Sequence, residues 1–337
     1  MLEHRKNRLN KTEDKTMRKT VYFKIAFLLI IMSILSACAE TKSEEGFPEF
    51  ITPNDKYYVT RIGKVPEIDP DTYRLEITGL VDNPRSFTLE ELRDLPMVEL
   101  PLTIECIGNS PSGPLLSTAI WKGFLLYDLL VSLGLGENAT GVRYTAADGY
   151  YASHTIEQIR DNKVLAALYM NGEVIPPLHG FPVRVLNPGY YGVKQPAWVT
   201  KIEVIDMPIN DYWEDRGWDC SPPIAVDSTI FYPEKKATVK VGEPFTLMGA
   251  AFGGTRIEKV EVTIDGGESW TTASIVEEMN LDNVWVFWES ELTFTEDGNY
   301  TVNARATDIN GNAQIDDDPN KYDGTSDWPV LKVNVEK

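Results

Sequence analysis

Residues 102–113 read LTIECIGNSPSG and place one cysteine between two contrasting segments. The apolar run before Cys106 predicts a short buried strand. The Gly, Asn, Ser and Pro residues after it are typical of a turn. The stretch therefore predicts a strand that ends at a cysteine. The role of this thiol has to be inferred from the rest of the sequence.

The chain has three cysteines, and none of them lies in a CxxC or CxxCH pattern. The sequence thus carries neither a haem attachment site nor iron–sulfur spacing. After residue 37 only His154 and His179 could add imidazole ligands, so a zinc or iron site built on histidine is not expected. From the residues alone, Cys106 and Cys220 are either free thiols or a disulfide pair. A metal held by Cys106 would have to bring most of its other ligands with it.

Residues 1–37 have the pattern of a secretory signal. A basic start precedes an apolar run of 11 residues at 25–35, which is too short to span a bilayer. The following LSAC matches the bacterial lipobox, so we expect cleavage to leave Cys38 as a lipidated N-terminus. The protein would then be anchored to the outer side of the cytoplasmic membrane. The alternative to the lipobox is an ordinary signal peptide in which the cysteine occurs by chance. Translation could also start at Met17 instead of Met1.

The charge and composition indicate an acidic globular protein. Residues 1–37 contain 8 basic and 3 acidic side chains, so their removal takes the net charge from −19 to −24. So acidic a chain repels phosphate backbones, and nucleic acid is not an expected partner. The chain is 42 % hydrophobic and 10 % aromatic, and its 337 residues suffice for two packed domains.

The hydrophobic patterns predict an α+β fold followed by an all-β domain. In residues 88–95 a Thr88–Glu91 capping pair signals a helix start, and residues 125–135 have helical spacing. From Thr229 onward only period-two runs occur, separated by Gly, Asp and Asn turns as in a β-sandwich. Residues 308–316 have loosely spaced oxygen side chains, but without the closing Glu of a calcium loop they predict a hairpin turn. The expected order is a flexible tether at 38–48, a mixed domain at 49–212, a connector at 213–228 and an Ig-like sandwich at 229–337.

A second cluster of interest lies in residues 170–206. His179, Arg184 and Lys194 stand close to glycine turns in an otherwise acidic chain. Such donors indicate a bound anion such as a phosphate. The alternative is structural, with His179 packed in the core and Arg184 paired with a carboxylate.

The stretch TIECIGN at 103–109 resembles the molybdenum-ligand segment of the sulfite oxidase family, in which a strand-end cysteine precedes Gly-Asn. The resemblance covers nearly the whole chain after the signal, in the right order and across both domains. It continues through WKGFLLYDLL (121–130), ADGYYASHTIEQ (147–158), residues 165–194, WVTKIEVID (198–206), YWEDRGW (212–218), residues 252–270 and RATDINGNAQ (305–314).

The resemblance implies that Cys106 gives a thiolate to molybdenum, a metal that a soft ligand suits. A pterin dithiolene and oxo or water groups would complete the coordination, which explains why the chain itself has no metal cluster. The residues implied to hold this molybdenum–molybdopterin cofactor are His179 and Arg184 of HGxPxR, Gly192 and Lys194 of PGxxGxK, and Asp148 and Ser153 in the stretch that lines the pterin.

The substrate pocket departs from the family pattern. Thr60, Arg61 and Ile62 stand where sulfite-oxidising relatives carry Arg-Asn-His, Pro111 replaces a pocket arginine, and Trp218 replaces a pocket tyrosine. Each charge-assisted contact to an oxyanion contributes about 1.5–3 kcal/mol. The pocket is therefore expected to be less cationic and more aromatic than that of a sulfite oxidase, with Arg61 as a substitute cation.

The resemblance implies an exported, lipid-anchored oxidoreductase that transfers an oxygen atom, with two electrons, to or from a small sulfur or nitrogen oxo compound. Sulfoxide-reductase-like and sulfite-dehydrogenase-like activities both remain open. Without a haem domain, a separate redox protein or membrane carrier is the expected electron partner, and the Ig-like domain implies a homodimer. The competing interpretations are a non-catalytic binding lipoprotein and a structural Ig-like adhesin, and the adhesin would explain only the C-terminal domain.

Overall fold

The computed structural model describes residues 46–234, 236–324 and 326–337. The predicted signal and the lipobox Cys38 lie outside the described residues. Within those residues, no helix combines the length and the apolarity needed to cross a membrane. Phe47–Lys337 forms one structural unit.

The first part of this unit is built mainly from sheet. Its elements are β1 Arg74–Gly79, β2 Arg85–Thr88, α1 Leu89–Arg93, β3 Val98–Glu105, β4 Leu116–Leu125, α2 Leu126–Ser132, β5 Gly141–Ala146, β6 Tyr151–Thr155, α3 Ile156–Asp161, β7 Leu165–Met170, β8 Glu173–Val174, β9 Arg184–Leu186 and β10 Val199–Ile205, with 3-10 turns at Pro177–His179, Gly192–Lys194 and Glu214–Arg216. The strands pair in the orders β2-β1-β10-β5-β6 and β3-β4-β7-β8, and β9 also pairs with β7. The α+β prediction is thus met only loosely, because the described residues contain three α-helices and each of them is short.

The local helix signals act as predicted. Thr88 Oγ1 accepts a hydrogen bond from the Glu91 N–H at 3.1 Å, and the Glu91 carboxylate accepts one from the Thr88 N–H at 2.8 Å. This reciprocal cap starts α1. Helix α2 occupies the centre of the predicted 125–135 segment, and the chain leaves it through Gly134 at φ +77°.

The described residues of the second part form strands and no helix, as predicted. The strands are β11 Asp227–Tyr232, β12 Ala237–Lys240, β13 Pro244–Phe252, β14 Ile257–Thr263, β15 Thr271–Thr272, β16 Ser274–Glu277, β17 Val286–Thr293, β18 Gly298–Asp308 and β19 Val330–Glu336. They form the sheets β11-β13-β17-β16 and β12-β19-β18-β14-β15, which share one apolar core. The turn at Asp308 is structural, because its carboxylate accepts hydrogen bonds from the backbone N–H groups of Asn310 and Asn312.

A shared apolar cluster joins the two parts and fixes strand β3. Phe50 and Ile107 pack in this cluster with Phe287 of the sandwich. Trp285 donates its indole N–H to the Phe50 carbonyl at 3.0 Å and its backbone N–H to Thr103 Oγ1 at 2.8 Å. The strand that ends at Cys106 is therefore held from both sides.

This junction also buries two carboxyl groups, Glu105 and Asp227. Burial raises the pKa of Asp227 to about 8. A hydrogen bond from the Ser228 N–H lowers this pKa in part, and the nearby Asp327 carboxylate raises it further. Burial and the nearby Asp227 raise the pKa of Glu105 as well. Gln314 Nε2 donates to Asp227 Oδ1 at 2.7 Å.

We expect Asp227 to make the protein less stable as the pH rises from about 4 to about 8. An unfolded Asp titrates near pH 3.9, so in this window the native state binds more protons than the unfolded chain, and stability falls with pH. The neutral Asp227→Asn variant keeps the acceptor for Gln314 and should lose less stability than wild type between pH 5 and pH 8, by on the order of 2 kcal/mol. Urea unfolding at both pH values measures this difference, and identical pH dependence in the two proteins would contradict it.

Candidate active site

A cavity of about 300 Å³ has Cys106 in its wall. Eight of the ten residues that the sequence predicted for the site line this cavity, although they come from widely separated segments. They are Thr60, Arg61, Cys106, Asp148, His179, Arg184, Gly192 and Trp218. The predicted residues Ser153 and Lys194 are not in the wall.

Cys106 directly follows β3, and the next turn is tightly bonded. Its N–H donates to the Leu115 carbonyl at 3.0 Å, and its carbonyl accepts from the Asn109 N–H at 2.9 Å. Burial raises the pKa of the Cys106 thiol, while hydrogen bonds from the Gly108 N–H and the Thr60 hydroxyl lower it in part. The thiol is thus protonated until a metal displaces the proton. Cys106 and Cys220 are both free, so the disulfide alternative is wrong.

His179 is buried and neutral. Its Nε2 donates to the Asn54 carbonyl at 2.6 Å. Burial lowers the pKa of His179, and the Arg184 charge lowers it further against the effect of the Asn54 hydrogen bond. A neutral ring that donates through Nε2 keeps Nδ1 as an acceptor. His179 is therefore a core histidine that also presents one face to the cavity.

Arg184 begins β9 and has an unmet hydrogen bond. One terminal N–H donates to the His179 carbonyl at 3.2 Å, and the guanidinium lies 5.3 Å from the centre of the Trp121 ring. Its buried Nε finds no hydrogen-bond partner among the described residues, and no described carboxylate pairs with the side chain. A buried charged donor without an acceptor is costly, whereas a phosphate would satisfy it. The alternative in which Arg184 pairs with a carboxylate is wrong within the described chain.

Gly192 allows two segments to approach closely beside Cys106. A Cβ at this position would lie 3.1 Å from the Tyr58 hydroxyl and 3.3 Å from the Glu105 carbonyl. A side chain here would press on both atoms, so this close approach favours glycine. Asp148 also lines the cavity, but its Oδ1 accepts from the Tyr150 N–H at 3.0 Å and so shapes a turn.

Ser153 and Lys194 do not line the cavity, and their role in holding the cofactor stays a prediction. Lys194 Nζ lies 2.6 Å from Asp211 Oδ2 and 3.4 Å from a Glu214 oxygen. Ser153 Oγ donates to Asp211 Oδ1 at 2.7 Å. The reason is that the Asp211 side chain is fully buried and needs these partners. These contacts of Lys194 with Asp211 and Glu214 hold the segment that contains Trp213, which lines the cavity.

Sequence reasoning missed five polar or aromatic residues of the wall: Tyr58, Tyr150, Gln195, Trp198 and Trp213. Trp198 has φ +55°, a conformation that a bulky residue adopts only where its surroundings enforce it. Its indole N–H donates to the Pro177 carbonyl at 2.8 Å. Nothing in the sequence signals that geometry, whereas Tyr58 could have been suspected because it stands two residues before Thr60.

Two protein-family models and several known proteins match this chain. The model for the oxidoreductase molybdopterin binding domain matches residues 62–213, and that for the Mo-co oxidoreductase dimerisation domain matches residues 221–335. Human mitochondrial sulfite oxidase is 31 % identical over 74 % of this chain and 54 % of its own length. Nitrate reductase [NADH] 1 of Phaseolus vulgaris is 27 % identical over 72 % of this chain and 35 % of its own length. The chain thus spans about half of one relative and a third of the other.

The sulfane dehydrogenase SoxCD of Paracoccus pantotrophus has the same fold. Its structure superposes with a TM-score of 0.75 at 23 % identity, over 85 % of this chain and 84 % of that chain.

The cavity residues fit a molybdopterin cofactor on structural grounds. Arg184 has a buried N–H in need of an acceptor, and it lines the same cavity as Cys106. Neutral His179 offers an acceptor, and Cys106 offers a soft donor. A phosphate-bearing pterin and a thiolate-binding metal therefore match the donor set of this wall.

Proposed function

This chain belongs to the sulfite oxidase family of molybdopterin-dependent oxidoreductases, and from that membership we propose that it transfers an oxygen atom from a small, uncharged sulfur or nitrogen oxide. For a sulfoxide the reaction turns R₂S=O, two electrons and two protons into R₂S and water. One S–O bond breaks, and the oxygen leaves as water. The cofactor, when bound, supplies the two-electron redox centre.

The residues of the cavity would share the work of holding the cofactor. Cys106 would bind the metal through its thiolate. Arg184 would donate its unmet N–H to the phosphate, and His179 would accept a hydrogen bond from the pterin. Trp213 and Trp218 would cover the cavity and limit the entry of water.

One observation carries the choice of an uncharged substrate. Ile107 and Gly108, which follow Cys106 in the cavity wall, and Thr60 in the same wall are all uncharged. The Trp218 ring lies against the turn that follows Cys106, 3.4 Å from where a Gly108 Cβ would stand. A sulfite or nitrate ion would lose its water there without gaining a counter-charge beside the metal.

A second candidate is sulfite oxidation, which Arg61 favours. Arg61 lines the cavity and forms no ion pair with a described residue. A free guanidinium at the wall is a donor for an oxyanion.

We expect the loaded enzyme to prefer uncharged oxides by at least about tenfold in kcat/KM. Dimethyl sulfoxide and trimethylamine N-oxide are assayed with reduced methyl viologen, and sulfite with ferricyanide. Arg61→Gln should leave the oxide reactions unchanged. Faster turnover of sulfite than of every oxide, with loss of that turnover in Arg61→Gln, would establish the second candidate instead.

The proposal also covers the localisation of the enzyme, its oligomeric state and its electron partner. The lipobox supports export and attachment to the outer face of the cytoplasmic membrane through Cys38, and loss of palmitate labelling in Cys38→Ala tests this. The matched dimerisation domain supports a homodimer, which analytical ultracentrifugation measures. Two electrons per turnover would come from a separate redox protein or membrane carrier.

A further inference from the structure

Tyr58 is held firmly in the cavity wall close to Cys106. Its ring stacks on Tyr57 with centroids 5.6 Å apart and planes 15° apart, and its backbone N–H donates to Ser117 Oγ at 3.2 Å. The hydroxyl lies against Gly192, 3.1 Å from where a Cβ of that residue would stand. Tyr58, Gly192 and Cys106 all line the same cavity.

Three hydroxyl groups line the described part of the cavity, and two of them are already engaged. Tyr150 donates its hydroxyl to the Val193 carbonyl at 2.7 Å. The Thr60 hydroxyl acts on the Cys106 sulfur and lowers the pKa of that thiol. The Tyr58 hydroxyl forms no hydrogen bond with a described residue, so among these three hydroxyls it is the uncharged donor that is left for a ligand.

We propose that the Tyr58 hydroxyl donates a hydrogen bond to the oxygen of the substrate and thereby selects uncharged oxides. This inference rests on the proposed function, because it assumes an oxide in the cavity. A sulfoxide or N-oxide oxygen is a strong acceptor that carries no net charge to neutralise. A tyrosine hydroxyl stays protonated at neutral pH and therefore adds no charge. The Tyr58 hydroxyl can therefore donate a hydrogen bond to the oxide oxygen, but, unlike a cationic side chain, it does not attract an anion.

The test compares Tyr58→Phe with wild type and with Tyr57→Phe, all loaded with cofactor. The control residue carries a buried hydroxyl that has no partner and does not line the cavity. Each protein is kept oxidised, without an electron donor, so that dimethyl sulfoxide binds but is not turned over. Binding is followed by tryptophan fluorescence, since Trp213 and Trp218 line the cavity. Molybdenum and pterin contents are measured on the same samples.

Loss of one hydrogen bond should raise the Kd for dimethyl sulfoxide about three- to tenfold in Tyr58→Phe. Tyr57→Phe should match wild type, and all three proteins should contain the same amount of molybdenum. An unchanged Kd at equal molybdenum content would overturn this inference alone. Molybdenum lost only from Tyr58→Phe would also overturn it, by showing that the hydroxyl holds the cofactor. A loaded wild type that binds no oxide would remove both this inference and the choice of substrate, whereas wild type without molybdenum would remove the proposed function itself.

Discussion

Cys106→Ser should abolish turnover, by at least on the order of 100-fold, while the fold is kept. An alcohol is a harder ligand than a thiolate and keeps its proton far more tightly. The thiol lies at the end of β3 and its backbone is held by Leu115 and Asn109, so the side-chain exchange leaves the turn intact. Activity is measured with dimethyl sulfoxide, and circular dichroism and the thermal midpoint report the fold.

Cys220→Ser is the matched control. Cys220 is also a free cysteine, but it packs in the junction cluster and does not line the cavity. We expect this variant to keep its activity per bound molybdenum. Molybdenum X-ray absorption should show one sulfur ligand fewer in Cys106→Ser and no change in Cys220→Ser. Full activity of a folded Cys106→Ser enzyme would contradict the assigned ligand.

Lys194→Met should destabilise the protein by about 3–5 kcal/mol. Burial lowers the pKa of Lys194, but the Asp211 carboxylate more than offsets this effect and holds the pKa above its usual value. The lysine is therefore charged in the folded protein. The Asp211 side chain is 0 % exposed, so removal of its cation leaves a buried carboxylate that accepts a hydrogen bond from Ser153 and has lost the lysine it shared with Glu214.

Two further variants separate the loss of this ion pair from a general effect of removing a lysine. Lys56→Met removes an exposed ion pair with Glu49, and we expect almost no change in the thermal midpoint. The double variant Lys194→Met, Asp211→Asn should recover part of the lost stability, because no unpaired charge is left. Equal midpoints for Lys194→Met and Lys56→Met would show that the buried pair contributes nothing.

Local patterns predicted the elements that local physics determines. The Thr88–Glu91 cap, the strand before Cys106 and the sandwich strands follow from spacing and turn chemistry, and the structure contains them. Sequence spacing alone left His179 and Arg184 undecided between structural and binding roles. The structure separates these roles, because the unmet N–H of Arg184 becomes visible only once its neighbours are known.

The features that the sequence did not predict depend on contacts between distant segments. The motif that contains Lys194 does not show that Asp211 is buried beside it, and the role of Lys194 in holding the cofactor stays a prediction. Trp213 lies in a segment whose Pro, Asp and aromatic content predicts a connector, yet it lines the cavity. The left-handed backbone of Trp198 has no sequence signal either, because tertiary packing alone imposes it.

The most direct test is the molybdenum and pterin content of wild-type protein made in a host that synthesises the cofactor. Metal analysis and the fluorescence of the oxidised pterin are measured on the same purified sample, beside Cys106→Ser. The account predicts about one molybdenum and one pterin per chain, as expected for a site with a single thiolate ligand. A folded protein with neither molybdenum nor pterin would contradict it and would mean that the fold has been kept for binding instead of catalysis.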